Sequence, residues 1–324
     1  MPAACTRTIV ETEIVQRTDT LRKTDTVVVA PPAHVAQRVA SGFALPVTVQ
    51  ADAGGLLVAQ QAGRIVRLDG TVVYDLSRLV PRDLNLVGGL LNFLAADGRA
   101  FAFLTTADAN VLVAELLPTR LDTLLLVSGF PVQHHGGGLA LRGGRLLVAL
   151  GDGDTGTGRG PGLQGRVLSI DLATRERREL ARGLRNPWRM ALHGDSLWIV
   201  DAGDRAWEEV DVVDLARPAP DFGWGVSEGP DCAPGADCSG VTWPRYAYPT
   251  GPECSTVVGA AWWEGAFWFG DYCEGWIRSL EGGVAFHQLD LPDRIVALAQ
   301  TAPESAPYVV TAGGAILRVA RRAP

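Results

Sequence analysis

Five histidines occur in the 324 residues, and two of them, His134 and His135, are adjacent and run straight into Gly136, Gly137 and Gly138. Imidazole has an ordinary pKa of about 6.5, so it can take a proton from a substrate near neutrality. Glycines directly after it let backbone or a flat ligand come close. Neighbouring side chains of an extended segment point to opposite sides. Only one of the two histidines can therefore face a site: His134 is expected to face inward, and His135 to turn into its loop. The alternative for either is a hydrogen-bonded loop histidine.

Other chemistry-bearing groups are scattered. The stretch GDGD, Gly151 to Asp154, could offer carboxylates to Ca2+, but Asp and Gly are also the usual residues of a polar hairpin turn, and the spacing favours the turn. In GLRNPWRMAL, Arg185 and Asn186 are held extended by Pro187. In WEEVD, Glu208 and Glu209 would point to opposite sides of a strand, one towards a site and the other to solvent. GPGLQG, Gly160 to Gly165, matches a dinucleotide fingerprint in spelling, but strand-like RVLSIDLA follows it where that fold requires a helix. HExxH is absent, so a zinc-protease reading has no support.

No single stretch carries a complete catalytic set, so distant segments must be brought together. With 38 glycines and 20 prolines and few long amphipathic helical patterns, the chain reads as many short strands joined by tight turns. One apolar strand recurs six times, beginning at Leu56, Phe101, Leu146, Leu197, Phe267 and Tyr308. Most steps are about 41 to 51 residues, and one of about 70 contains a cysteine-rich insert. That spacing predicts an all-β fold, a six-bladed β-propeller over residues 37–324, with its last blade closed by strands from both ends. In such a ring the loops of successive blades converge on one end of the central channel. Residues 1–36 read as an N-terminal extended tail, either disordered or an arm pairing with another subunit, and outside the propeller core.

The formal net charge of −7 argues against nucleic acid as the main partner. No apolar run approaches the roughly 18 residues that span a bilayer, and no basic-then-apolar secretory leader is visible. Cys232, Cys238, Cys254 and Cys273 cluster, with Cys5 far away. They form no CxxC and have no histidine at zinc-finger spacing, so two disulfides are expected over structural zinc. Four cysteines allow three pairings. Disulfides imply an extracytoplasmic compartment, periplasmic or secreted, in tension with the missing leader.

Taken in order, HHGGGLALRGGRLLVALGDGD, GLRNPWRMAL, LWIVDAGDRAWEEVD, DFGWGVSEGPDC and FWFGDYCEGWIRSL closely resemble the soluble quinoprotein sugar dehydrogenases, the glucose/sorbosone dehydrogenase family, over roughly residues 37 to 324. The resemblance implies a six-bladed propeller binding pyrroloquinoline quinone (PQQ) and Ca2+ at the channel mouth and oxidising a sugar or polyol. It implies His134 as the general base, Arg185 and Asn186 on the quinone, and Ca2+ on the carbonyls of Gly203 and Asp204. A second, structural Ca2+ would use Glu209 and a carbonyl near Phe222. The sequence departs from the family pattern at Val87, where Gln or Glu touches the cofactor, at Asp204, where the family has Gln, and at Trp276, where many members have arginine, although Arg278 is close by. These departures motivate a second reading: a non-catalytic propeller for binding or assembly, homo-oligomeric through its tail. The expected cysteine pairs are Cys232–Cys238, bracketing a turn, and Cys254–Cys273, flanking a hairpin.

Overall fold

The computed structural model describes residues 7–11, 25–29, 33–84, 88–131, 133–251 and 253–322. Among the described residues every regular element is a strand, and five antiparallel four-stranded sheets and one six-stranded sheet, whose four propeller strands are antiparallel, stand round a channel. Blade 1 runs Pro46–Asp52, Gly55–Gln60, Arg64–Arg67 and Val72–Asp75. Blade 2 spans Leu90–Ala96 to Leu121–Val127, and blade 3 spans Gly136–Arg142 to Arg177–Ala181. Blade 4 runs from Pro187–His193 to Tyr246–Pro249 and blade 5 from Val257–Trp263 to Val284–Asp290. Blade 6 has Ile295–Ala299, Tyr308–Thr311 and Ile316–Arg321, and takes its outermost strand, His34–Ala40, from the other end of the chain. The first strand of each blade lies innermost, and these strands touch one another all the way round.

The six recurring apolar stretches are the second strand of each blade. Neighbouring blades cover both faces of these strands, so they read as continuous apolar runs instead of alternating. Phe101, Phe103, Leu146 and Val148 are each 0 % exposed between blades 2 and 3. At full burial such a side chain contributes roughly 1.5–3 kcal/mol.

The propeller begins at His34, a little before the expected residue 37. The His34 ring is buried between Trp263 and Trp268, and its nitrogens lie 2.8 Å from Gln288 and 3.2 Å from Glu264. This clasp holds the closing strand against blade 5. Within the tail, Arg7–Glu11 pairs with Asp25–Val29, which pairs parallel to Val284–Asp290 at the outer edge of blade 5. The described part of the arm thus adds to a sheet of its own chain, and Val27 packs against apolar side chains of blades 4 and 5.

The long step in the repeat lies between Trp207–Asp214 and Tyr246–Pro249 of blade 4. It holds a small hairpin, Ser227–Glu228 with Asp231–Cys232, and the disulfide Cys232–Cys238, Cα–Cα 6.1 Å. Cys254 pairs with Cys273, Cα–Cα 5.7 Å, across one end of blade 5. Both pairings are the expected ones, and each closed loop stabilises by very roughly 2–4 kcal/mol. Cys5 lies outside the described residues. GPGLQG leads into the strand Arg166–Asp171, as its spelling context required.

Candidate active site at one mouth of the channel

His134 precedes the inner strand of blade 3, and Arg185 and Asn186 precede that of blade 4. Asp152 follows the second strand of blade 3, and Asp201 to Asp204 end and follow that of blade 4. Segments that enter inner strands and leave second strands lie at the same end of a propeller, so these residues converge.

The His134 backbone sits at φ +47°, an uncommon place for a non-glycine residue. The strand-end loop of blade 3 holds it there: its carbonyl accepts the Gly153 amide at 3.2 Å. A Cβ on Gly151 would lie 1.8 Å from that carbonyl oxygen, so only glycine fits. The His134 Nδ1 is 2.9 Å from the Asp152 Oδ1, and its Nε2 is 3.1 Å from the Arg185 Nη2. A guanidinium can only donate. Nε2 must then be the acceptor and carry no proton, which places the proton on Nδ1, donated to Asp152. The arrangement fixes one tautomer and leaves Nε2 as the basic atom.

Asp152 is fully buried. Its Oδ1 also accepts the Asp154 amide at 2.8 Å, and its Oδ2 accepts the Trp224 Nε1 at 2.8 Å and the Gly156 amide at 3.1 Å. Burial pushes this carboxyl up, but the hydrogen bonds from His134, Trp224 and Asp154 prevail and hold it below the usual range. It is therefore a carboxylate: GDGD forms a turn at Gly153 and Asp154, as its spacing suggested, with Asp152 buried beneath it. His135 turns the other way and is buried beside Phe130, ring centroids 5.6 Å apart.

Asp201 fixes the next segment by accepting the Arg185 amide at 2.8 Å and the Asn186 amide at 2.5 Å. The Asn186 Oδ1 in turn accepts the Gly136 amide at 3.1 Å, tying blade 4 to the histidine loop. The Arg185 guanidinium lies over the Trp224 ring and donates to the carbonyls of Ala202 and Gly203 and to Asp204. Its Nε has no partner among the described residues. The loop that presents Gly203 and Asp204 is gathered by Glu228, whose Oε1 accepts the amides of Asp204, Arg205, Ala206 and Trp207.

Beneath this loop lie Asp201, Glu209 and Asp211, with one carboxylate oxygen from each within 4.8 Å of the others. Both oxygens of Asp211 are buried with no hydrogen-bond partner among the described residues. Burial pushes all of them up, reinforced by neighbouring carboxylates at Glu209 and Asp211 and opposed at Asp201 by the Arg185 and Asn186 amides: Asp201 to about 7, Glu209 to about 8, and Asp211 well above its ordinary value. A cavity of about 10 Å³, lined by Asp201, Gly203, Glu209 and Phe222 among others, adjoins the cluster. That is room for a single water-sized occupant, and the carboxylates of Asp201 and Glu209 on its wall suit Ca2+, with Arg185 and Trp224 lining it too. Glu208 is also buried, not solvated as the strand alternation suggested; it accepts the Val257 amide at 2.9 Å, and burial pushes it up to about 8.

The structure thus brings together His134, Arg185, Asn186, Gly203, Asp204, Glu209 and Phe222. Arg278 sits elsewhere: its guanidinium stacks on Trp276 at 3.8 Å and donates to Tyr246 between blades 4 and 5. Trp276 is buried against Tyr248 and Phe269, so it serves the core. Val87 lies outside the described residues. Sequence reasoning passed over Asp201, Asp211, Trp224 and Glu228, and weighed Asp152 only as a Ca2+ ligand or turn residue. Their only signal was position, since each stands in or just after a stretch that did draw attention.

No protein-family model matches the sequence, and a search of curated proteins finds no match. Solved structures do match. A glucose dehydrogenase is 20% identical with a TM-score of 0.71, covering 89% of this chain and 100% of its own. A protein from Thermus thermophilus, named as an oxidoreductase of the glucose dehydrogenase kind, is 21% identical at TM-score 0.68, with the same coverage. The PQQ domain of Coprinopsis cinerea pyranose dehydrogenase, in its holo form, is 12% identical at TM-score 0.53, covering 89% of this chain and 95% of that one. At these identities the likeness is one of fold alone.

Proposed function

We propose that this protein is a quinoprotein dehydrogenase that oxidises a sugar or polyol hydroxyl. The observation that carries the reading is the His134–Asp152 pair, with an unprotonated Nε2 beside Arg185 at the channel mouth. The fold it stands on is one found in a glucose dehydrogenase and in a PQQ domain.

The donor set fits the cofactor. A tricarboxylate needs cations and donors, and Arg185 offers a guanidinium whose Nε is unpartnered among the described residues. Arg205, with its side chain 90% exposed, adds a second cation at the same loop. Arg185 and Asn186 would hold the cofactor, and the Gly203 carbonyl and Asp204 would hold its Ca2+. Asp201, Glu209, Asp211 and a carbonyl near Phe222 would hold a second Ca2+. PQQ supplies hydride acceptance when bound. His134 Nε2 takes the hydroxyl proton, and the bond to the Asp152 carboxylate stabilises the resulting imidazolium. Trp224 and Gly156 keep that carboxylate in place.

The two disulfides support an extracytoplasmic location, periplasmic or secreted. No helix among the described residues is long and apolar enough to cross a membrane. The test is calorimetric titration with PQQ in the presence of Ca2+, followed by dye reduction over a sugar panel. Saturable binding and sugar-dependent turnover are expected. Absence of binding would leave the second reading, a ring used for binding or assembly with the N-terminal arm as attachment. That reading draws on Trp276, which serves the core where the resemblance has a cofactor-side arginine.

A further inference from the structure

The channel has another chamber. A cavity of about 820 Å³ is lined by the inner strands and by their turns into the second strands, such as Asp52–Ala53, Asp97–Gly98 and Thr301–Pro303. Those turns lie at the end of the ring opposite His134. The volume falls within the range of small-molecule sites. Thr48, Gln50 and Asn92 give its wall polar groups, and Arg189 projects into it from blade 4.

Arg189 spans the channel. Its Nη2 donates to the carbonyls of Val47 at 2.8 Å and Leu91 at 3.1 Å, and its Nη1 to that of Trp188 at 2.8 Å. These bonds reach the second residues of the inner strands of blades 1 and 2. The guanidinium therefore forms a partition between the two mouths. It is 5% exposed, and its Nε has no partner among the described residues. The other charged groups of the chamber are matched or solvated. Asp52 is held by Arg67 at 2.6 and 2.8 Å, Arg99 by Glu115 at 2.7 and 2.6 Å, and Asp97 is exposed in its turn. Three carbonyl dipoles and the Trp188 ring, 4.4 Å from the guanidinium carbon, hold Arg189, but no carboxylate pairs with it among the described residues, and burial alone lowers its pKa to about 9. A buried, uncompensated cation costs several kcal/mol, and an oxyanion offsets that cost through a charge-assisted hydrogen bond.

We propose that this chamber is a second binding site, on the face opposite His134, for a small molecule whose carboxylate or phosphate group pairs with Arg189. The site stands independently of the dehydrogenase reading, because neither His134 nor Asp152 lines it.

Calorimetric titration of the full chain with sodium malonate and with sodium phosphate, at ionic strength matched with chloride, tests it. Saturable one-to-one binding of at least one probe is expected, and the tighter probe distinguishes carboxylate from phosphate. Arg189→Gln should weaken binding by about tenfold or more, and Gln50→Phe, which narrows the chamber, should do the same. His134→Ala should leave it unchanged, separating this site from the quinone site. Should Arg189→Gln fail to fold by circular dichroism, Gln50→Phe decides alone. No saturable heat with either probe, or affinity unchanged in Gln50→Phe, overturns the proposal, as does loss of binding in His134→Ala.

Discussion

Replacing Asp152 by asparagine removes one charge and turns one oxygen into a donor. Each Asp152 oxygen accepts two hydrogen bonds: Oδ1 from His134 and the Asp154 amide, Oδ2 from Trp224 and the Gly156 amide. An amide NH2 must therefore face two donors whichever way it turns. An indole or backbone N–H cannot become an acceptor, but imidazole can, by moving its proton. The cheaper orientation points the NH2 at His134, leaves the Asp154 amide unpaired, shifts the His134 proton to Nε2, and leaves the Arg185 Nη2 with its bond to Asp204 in place of the one to His134. One unsatisfied buried donor costs about 1–3 kcal/mol, so the variant should fold with that loss of stability. Nε2 would now carry a hydrogen facing the Arg185 guanidinium and could no longer accept a proton. Turnover should fall on the order of 10³–10⁴-fold, the scale for a histidine locked in the wrong tautomer. Nitrogen-15 chemical shifts of His134 read the tautomer without any substrate, and dye reduction reads turnover. A folded variant that keeps the Nδ1–H tautomer, or turns over within about threefold of wild type, refutes the reasoning.

His134→Ala should lose at least about a hundredfold in turnover with cofactor binding little changed, while His135→Ala is nearly silent and Arg185→Ala weakens cofactor binding; kcat and calorimetry separate the three. Saturating Ca2+ should raise stability against a chelated sample by about 2.7 kcal/mol at a hundredfold excess over Kd, and Asp211→Asn should abolish that increment; identical melting in Ca2+ and chelator argues against the cluster as a cation site. Gly151→Ala should destabilise by about 1–3 kcal/mol and slow turnover, because the new methyl forces the His134 carbonyl aside; a neutral result would mean the loop is not fixed there. The Asp152 carboxyl is held low in the fold, so its stabilisation is complete above the unfolded pKa of about 3.9 and is lost as pH falls through the lower folded value; acid unfolding should therefore be less steep in Asp152→Asn. Deleting residues 1–33 should leave thermal stability nearly unchanged, since Val27 and Val28 of the arm are only half-buried on the ring; a large loss of stability would place the arm in the core.

The ring was legible because its signal is local. A second strand buried on both faces must be apolar throughout, and six such strands at near-constant spacing fix the blade count. The disulfides were legible for the same reason, since each closes a short loop around a turn or a hairpin. His134, Arg185 and Asn186 drew attention through residue type beside glycine and proline. What joins them did not. Asp152 reads as a turn residue and Asp211 as one end of a charged strand, and nothing in either neighbourhood indicates burial. Their roles depend on contacts between blades: Trp224 reaches Asp152 from 72 residues away, and Arg185 reaches the His134 ring from 51. Arg278 went the other way, from expected cofactor neighbour to a cation stacked on Trp276 inside the wall between blades. Alternation along a strand states which side a residue takes, but only the neighbouring blade decides whether that side is channel, core or solvent. Arg189 is the clearest case. In sequence it is an arginine on a strand, and only ring closure sets carbonyls from two other blades round it and leaves its charge buried in the channel.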